Sequence, residues 1–144
     1  MPTRRGWRFL LGVMVVAVAS SAVHYTDNAI NWAEYPHPEP GSSVPDPSDW
    51  VIGASWFAFT AAGILGLWWF SRGRVMAAAV AIAVYSGSGL VSIGHYLAPG
   101  ATGMPAWRQT LIGVDIVLGA VLFVFACWAV VTLRPSPASR GTAR

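Results

Sequence analysis

Residues 7–36 read WRFLLGVMVVAVASSAVHYTDNAINWAEYP, an apolar run that passes without a break into a polar one. Between 7 and 23 the only charge is Arg8 and there is no proline. A run of this kind approaches the roughly 20 helical residues that a bilayer's hydrocarbon core requires. In the second half, His24, Asp27, Asn28, Asn31, Glu34 and Tyr35 recur at spacings of three and four. On a helix these positions share one face. A polar stripe at the mouth of a membrane span needs either water or partners from neighbouring helices. Tyr35-Pro36 predicts the end of this helix, because the residue before a proline avoids the α region.

The rest of the chain has the character that the first segment implies. It is 144 residues long, 55% hydrophobic and 10% charged, where ordinary soluble domains carry about 25% charge. Three further apolar runs, at 50–70, 75–97 and 110–133, are long enough to cross a bilayer as helices. The fold class expected is all-α: a single domain over 1–134, an antiparallel bundle of four transmembrane helices, followed by a disordered tail at 135–144. Eight of the nine arginines (Arg4, Arg5, Arg8, Arg72, Arg74, Arg134, Arg140, Arg144) fall on one side of that topology. The opposite side holds Asp27, Glu34, Glu39, Asp46 and Asp49, with Arg108 its only base. An excess of arginine marks the cytoplasmic side. Both termini are therefore expected in the cytoplasm, in a plasma (inner) membrane, with the long loop outside. An alternative reading makes the first run a secretory signal peptide cut near Ala17 and Ala19.

Local features refine the bundle. Gly12, Ala17 and Ser21 in the first span, and Ala54, Ala58, Ala62 and Gly66 in the second, are small residues of the kind that line helix contacts in lipid. The SRGR turn makes the second and third spans antiparallel neighbours. Ser86-Gly87-Ser88-Gly89 is where the third span is expected to bend. Cys127 sits alone in the fourth span, where it reads as inert packing.

The chemistry-bearing residues gather at the acidic end. His24 and His95 end two spans that run in the same direction, and Asp115 lies about 10 Å into the fourth span at 1.5 Å per residue. An acid at the centre of a span costs about 2.5–3.5 kcal/mol, so Asp115 should face the bundle interior. Its expected partners are His24 and His95, with Asn28, Tyr25 or Tyr96 as alternatives.

Three functions fit such a cluster. The favoured one is a non-enzymatic structural or interaction subunit, in contact with lipid, a membrane-protein partner or its own copies, whose His24, Asn28, His95 and Asp115 fix helix register. Another is a metal or haem site with His24 and His95 as ligands, Asp27 or Asp115 behind them and Met104 as an extra donor. The remaining one is an acid–base or transport pocket for a lipid-soluble ligand centred on Asp115, with Trp32, Trp50, Trp56 and Trp107 as its lining. Glu34, Glu39, Asp46 and Asp49 read as a solvated acidic loop, or as a weak cation site with His37. Phosphate-loop, dinucleotide and GxSxG motifs are missing from the sequence. The arginines are too scattered for a nucleic-acid surface.

At HYTDN, NWAEYP and GHYLAP the chain resembles small four-helix bacterial integral membrane proteins. That resemblance covers all four spans loosely; it implies the bundle and no particular activity. Of the paired acids that sterol-isomerase-like four-helix proteins carry within their spans, only Asp115 has a counterpart here.

Overall fold

In a computed structural model, which describes residues 4–133, the chain is all-helical with no strand among the described residues. Helix α1 spans Arg4–Ile30, α2 Asp49–Ser71, α3 Val75–Leu90 and α4 Ala106–Leu133. All four, with α3 extended through a 3₁₀ segment at Val91–Leu97, are long and apolar enough to cross a membrane. The tail at 135–144 lies outside the described residues.

The buried side chains of each helix explain how they associate. On α1 they include Leu10, Met14, Ala17, Ser21, His24 and Asn28; on α4, Arg108, Ile112, Asp115, Gly119, Leu122, Ala126 and Ala129. Steps alternating four and three put each set on one seam, the spacing of helices that pack nearly antiparallel through interlocking ridges. Contacts fix the directions. Met14 meets Gly63 while Ala29 meets Gly53, so α1 and α2 are antiparallel. Phe9 packs on Phe125 while Asp27 reaches Arg108, so α1 and α4 are too. The SRGR turn reverses the chain through Gly73, whose φ of 73° favours a residue without a side chain.

Three glycines set the closest approaches. A Cβ on Gly66 would lie 2.8 Å from the Ile82 side chain on α3. A Cβ on Gly119 would lie 2.8 Å from the Ser86 carbonyl oxygen, and one on Gly89 would collide with the backbone carbonyl of Asp115. The helices α3 and α4 therefore touch main chain to main chain beside Asp115, which is the close packing that small residues permit in lipid.

Several expectations are corrected. Helix α1 ends at Ile30, and Trp32–Glu34 form a 3₁₀ turn before Tyr35, because Asp27 and Asn31 bond each other and the chain tightens there. Of the expected stripe Ala54, Ala58, Ala62 and Gly66 only Gly66 is fully buried; Ala54 and Ala58 are exposed, and the packed face is Gly63, Gly66 and Phe70. Gly12 meets nothing within 4 Å. Cys127 is exposed on the outer face of α4, where Val117, Val124 and Val131 are also exposed. Such a face suits contact with acyl chains and imposes no demand for large side chains.

All three fully buried residues of α2 lie in its second half. Its first half instead borders a cavity, and that cavity positions the site.

Candidate functional site

The site is built where α1, the 3₁₀ end of α3 and the start of α4 come together. His24 and Asn28 are one turn apart on the α1 seam, so both point inward. His24 Nδ1 lies 2.8 Å from Asp115 Oδ2 on α4, and Ser20, one turn earlier on α1, donates to Asp115 Oδ1 at 2.6 Å. His24 is 1% and Asp115 2% exposed. An ionised carboxylate only accepts, so with Asp115 in that form the proton of this contact sits on His24 Nδ1. The remaining ring nitrogen, Nε2, is buried and has no hydrogen-bond partner. In a native interior nearly every buried polar atom is paired, and an orphan calls for an explanation.

His95 completes the group from α3, its ring centroid 5.4 Å from that of His24. The Asn28 side-chain amide nitrogen lies 3.2 Å from His95 Nε2. An amide nitrogen donates and never accepts, so His95 Nε2 is the acceptor and its proton is on Nδ1. Tyr35 stacks on His24 at 6.3 Å between centroids and lies tilted against His95 at 5.2 Å. These side chains bridge helices on a diagonal of the bundle, where α1 and α3 have little backbone contact, as does the Tyr25 hydroxyl donating to the Ser88 carbonyl at 3.0 Å.

A second network caps the first. Arg108, 5% exposed, donates to both carboxylate oxygens of Asp27 at 2.8 and 3.3 Å and to Glu34 at 2.8 Å. Its guanidinium also lies 4.9 Å from the Tyr35 ring centroid, a cation–π contact. Asp27 further accepts from Asn31 at 2.6 Å and from the Tyr35 hydroxyl at 2.7 Å. Tyr35 lies outside the spanning helices; burial, reinforced by its bond to the Asp27 carboxylate, pushes its phenol well above the ordinary tyrosine range. Glu34 is 65% exposed, so its pair adds little. The two-point Arg108–Asp27 contact holds the chain end of α1 against α4.

Beside these networks lies a cavity of about 390 Å³. His24, His95 and Tyr35 border it on one side, and Ile52, Ser55 and Phe59 of α2 on another. The loop after Tyr35 covers it with Pro36, Pro38 and Pro45. That loop is fastened by His37, which contacts Asp46 at 2.9 Å and the Trp32 carbonyl at 3.2 Å. The walls are mainly apolar.

Of the residues expected at the site, His24, Asn28, His95 and Asp115 come together, and Asp27 stands in the adjoining network. Tyr96 does not: it is 41% exposed, with its hydroxyl 3.4 Å from the Gln109 carbonyl, because successive residues of a 3₁₀ turn face different ways. Met104 is buried with Tyr35, Ala101 and Ile112 in a small apolar cluster. Trp32 lines the cavity, but Trp50 and Trp107 are exposed and Trp56 donates to Ser21. Glu34 belongs to the Arg108 network and not to a free acidic loop. Among the described residues no group of three His, Cys, Asp or Glu side chains is arranged to hold a metal ion. Asp115 and Asn28 each engage one nitrogen of the two histidines, which leaves His24 Nε2 and His95 Nδ1.

Two contributors were missed from sequence. Arg108 occupies the α4 seam seven residues before Asp115, and Ser20 precedes His24 by one helical turn; both spacings were available as signals. No protein family, curated protein or solved structure matches the chain.

Proposed function

We propose that this is a bacterial inner-membrane protein, with both termini cytoplasmic, that binds a small lipid-soluble molecule in the cavity at its outward end. The arginine distribution supports the orientation. The observation that carries the binding reading is the mainly apolar cavity of about 390 Å³ that His24, His95 and Tyr35 border together. Apolar pockets with a few convergent polar groups are the usual form of a small-molecule site. Asp115 orients the ring, His95 and Tyr35 pack against it, and the proline-rich loop shields it.

A second reading gives the cluster only a structural part, fixing helix register for a subunit of a larger assembly. In its favour, Ser20, Asn28 and Asp115 are all paired across helices. It assigns no role to His24 Nε2 or to the cavity.

Uptake of 1-naphthol by the protein in lipid nanodiscs, measured as the excess over empty nanodiscs, tests the binding reading. A saturable excess is expected, and Ser55→Trp, which fills the cavity from α2, should abolish it. An excess that never saturates, or that survives Ser55→Trp unchanged, leaves only the structural reading.

A further inference from the structure

Beside the cavity α3 continues as the 3₁₀ segment Val91–Leu97, in which residues three apart stand directly above one another. Val91, Gly94 and Leu97 therefore form one straight row, and all three line the cavity. On α2, Ile52, Ser55 and Phe59 share a helical face and line it too. The row on α3 is about 12 Å long at about 2 Å per residue. The row on α2 is about 10 Å long at about 1.5 Å per residue. Each has its small residue in the middle, Gly94 in one and Ser55 in the other, so the rows leave a slot between them.

This slot opens sideways. The 3₁₀ segment packs on α4, toward which Gly89 and Gly119 draw α3, and it has little backbone contact with α2. The polar side chains of α2 at this level turn elsewhere, Ser55 to the Ile52 carbonyl and Trp56 to Ser21. A Cβ on Gly94 would meet nothing within 4 Å. Val91 and Leu97 are 62% and 64% exposed although both line the cavity, and both lie within a segment long and apolar enough to span a membrane. The loop above is fastened instead: Trp32 Nε1 donates to the Pro47 carbonyl at 2.9 Å, and His37 contacts Asp46.

We propose that the slot holds the acyl chain of a single-chain lipid, which enters from the leaflet on the side of the 36–48 loop. Half of a hydrocarbon core is about 15 Å thick, so rows of about 10–12 Å run most of the depth of one leaflet. The volume of about 390 Å³ lies near the lower end of the roughly 300–1,000 Å³ of small-molecule sites. It suits one chain and not the pair of a phospholipid. Methylene groups between Val91, Leu97, Ile52 and Phe59 leave no polar atom unpaired, and the headgroup stays at the level of Trp32, His37 and Asp46. Because the chain lies through the gap, filling the gap removes binding and not merely access.

The inference rests on the binding reading proposed above and names its occupant. Full-length protein in nanodiscs containing a trace of lysophosphatidylcholine with a diazirine on its acyl chain is irradiated, and the adducts are mapped by mass spectrometry. Adducts are expected on 52–59 and 91–97, and unlabelled lysophosphatidylcholine, replacing part of the phospholipid, should compete them away. They should be lost in Gly94→Phe, which fills the slot midway. Adducts at Val117 and Val124, on the exposed face of α4, report bulk lipid and should change with neither competitor nor substitution. Val91→Trp, at a side chain already exposed, is the second slot-filling variant if Gly94→Phe does not fold. Slot adducts that resist the competitor, or that persist in a folded slot-filling variant, overturn the acyl-chain assignment. Saturable 1-naphthol uptake alongside that result leaves the cavity a site for a compact molecule, and failure of both overturns both readings.

Discussion

Replacing His24 by leucine is expected to destabilise the protein more than replacing Asp115 by leucine, and replacing both should recover most of the loss. The asymmetry follows from what each change leaves behind. His24→Leu leaves the Asp115 carboxylate, 2% exposed, with Ser20 as its one remaining hydrogen-bond donor. Removing one partner of a buried pair and stranding the charge costs about 3–5 kcal/mol. Asp115→Leu leaves a neutral imidazole and the Ser20 hydroxyl without an acceptor, a cost of about 1–3 kcal/mol. It also removes an acid whose insertion costs about 2.5–3.5 kcal/mol at the centre of a span, and this offsets part of the loss. If the contact were an ordinary interhelical hydrogen bond in lipid, about 0.6 kcal/mol on average, the two single changes would be small and alike. Unfolding of the four proteins in mixed detergent micelles gives the cycle directly, and a coupling of about 0.5–3 kcal/mol is expected for residues in contact.

A change that touches no functional group should have the next largest effect. Gly89→Ala puts a methyl group into the Asp115 carbonyl, and Gly119→Ala puts one 2.8 Å from the Ser86 carbonyl. Backbone cannot turn aside as a side chain does, so α3 and α4 must separate. Overpacking of a close-packed contact costs about 1–3 kcal/mol and can cost more, and here the separation also draws Asp115 away from His24. Gly12→Ala is the control: nothing lies within 4 Å of its added carbon, so the higher helix propensity of alanine should leave it neutral or slightly stabilising. Thermal unfolding of the three variants checks this ranking. A Gly89→Ala protein as stable as the native one would contradict the close approach of α3 to α4.

Much of the arrangement was legible in the sequence because membranes punish exceptions. Four long, nearly uncharged runs admit few folds, and the single acid within a span had to turn inward toward partners at its own depth; this named His24 and His95, of which His24 pairs with it and His95 pairs with Asn28. The packed face of α2 was not legible. In lipid, alanine is as acceptable outside as inside, so Ala54 and Ala58 carried no information, whereas the glycines that matter are identified only by what stands opposite them. The inward turn of Arg108 was not legible, because a long side chain at a helix start reaches either water or the bundle. Its turn toward Asp27 depends on where α1 ends, and that end came one turn earlier than Pro36 implied. The pairing of Asn28 with His95, which sets the second tautomer, crosses the bundle diagonally, and helical periodicity does not reach across helices.

The central claim is that an ionised Asp115 holds a neutral His24 ring by its Nδ1–H and leaves the buried Nε2 without a partner. Nitrogen-15 solid-state NMR of histidine-labelled protein in lipid bilayers reads this directly, since protonated and unprotonated ring nitrogens resonate far apart and the chain has three histidines. The account predicts a His24 signal with Nδ1 protonated and Nε2 bare, and the reverse in Asp115→Asn. A His24 ring protonated at Nε2 in the native protein, unmoved by Asp115→Asn, would contradict it.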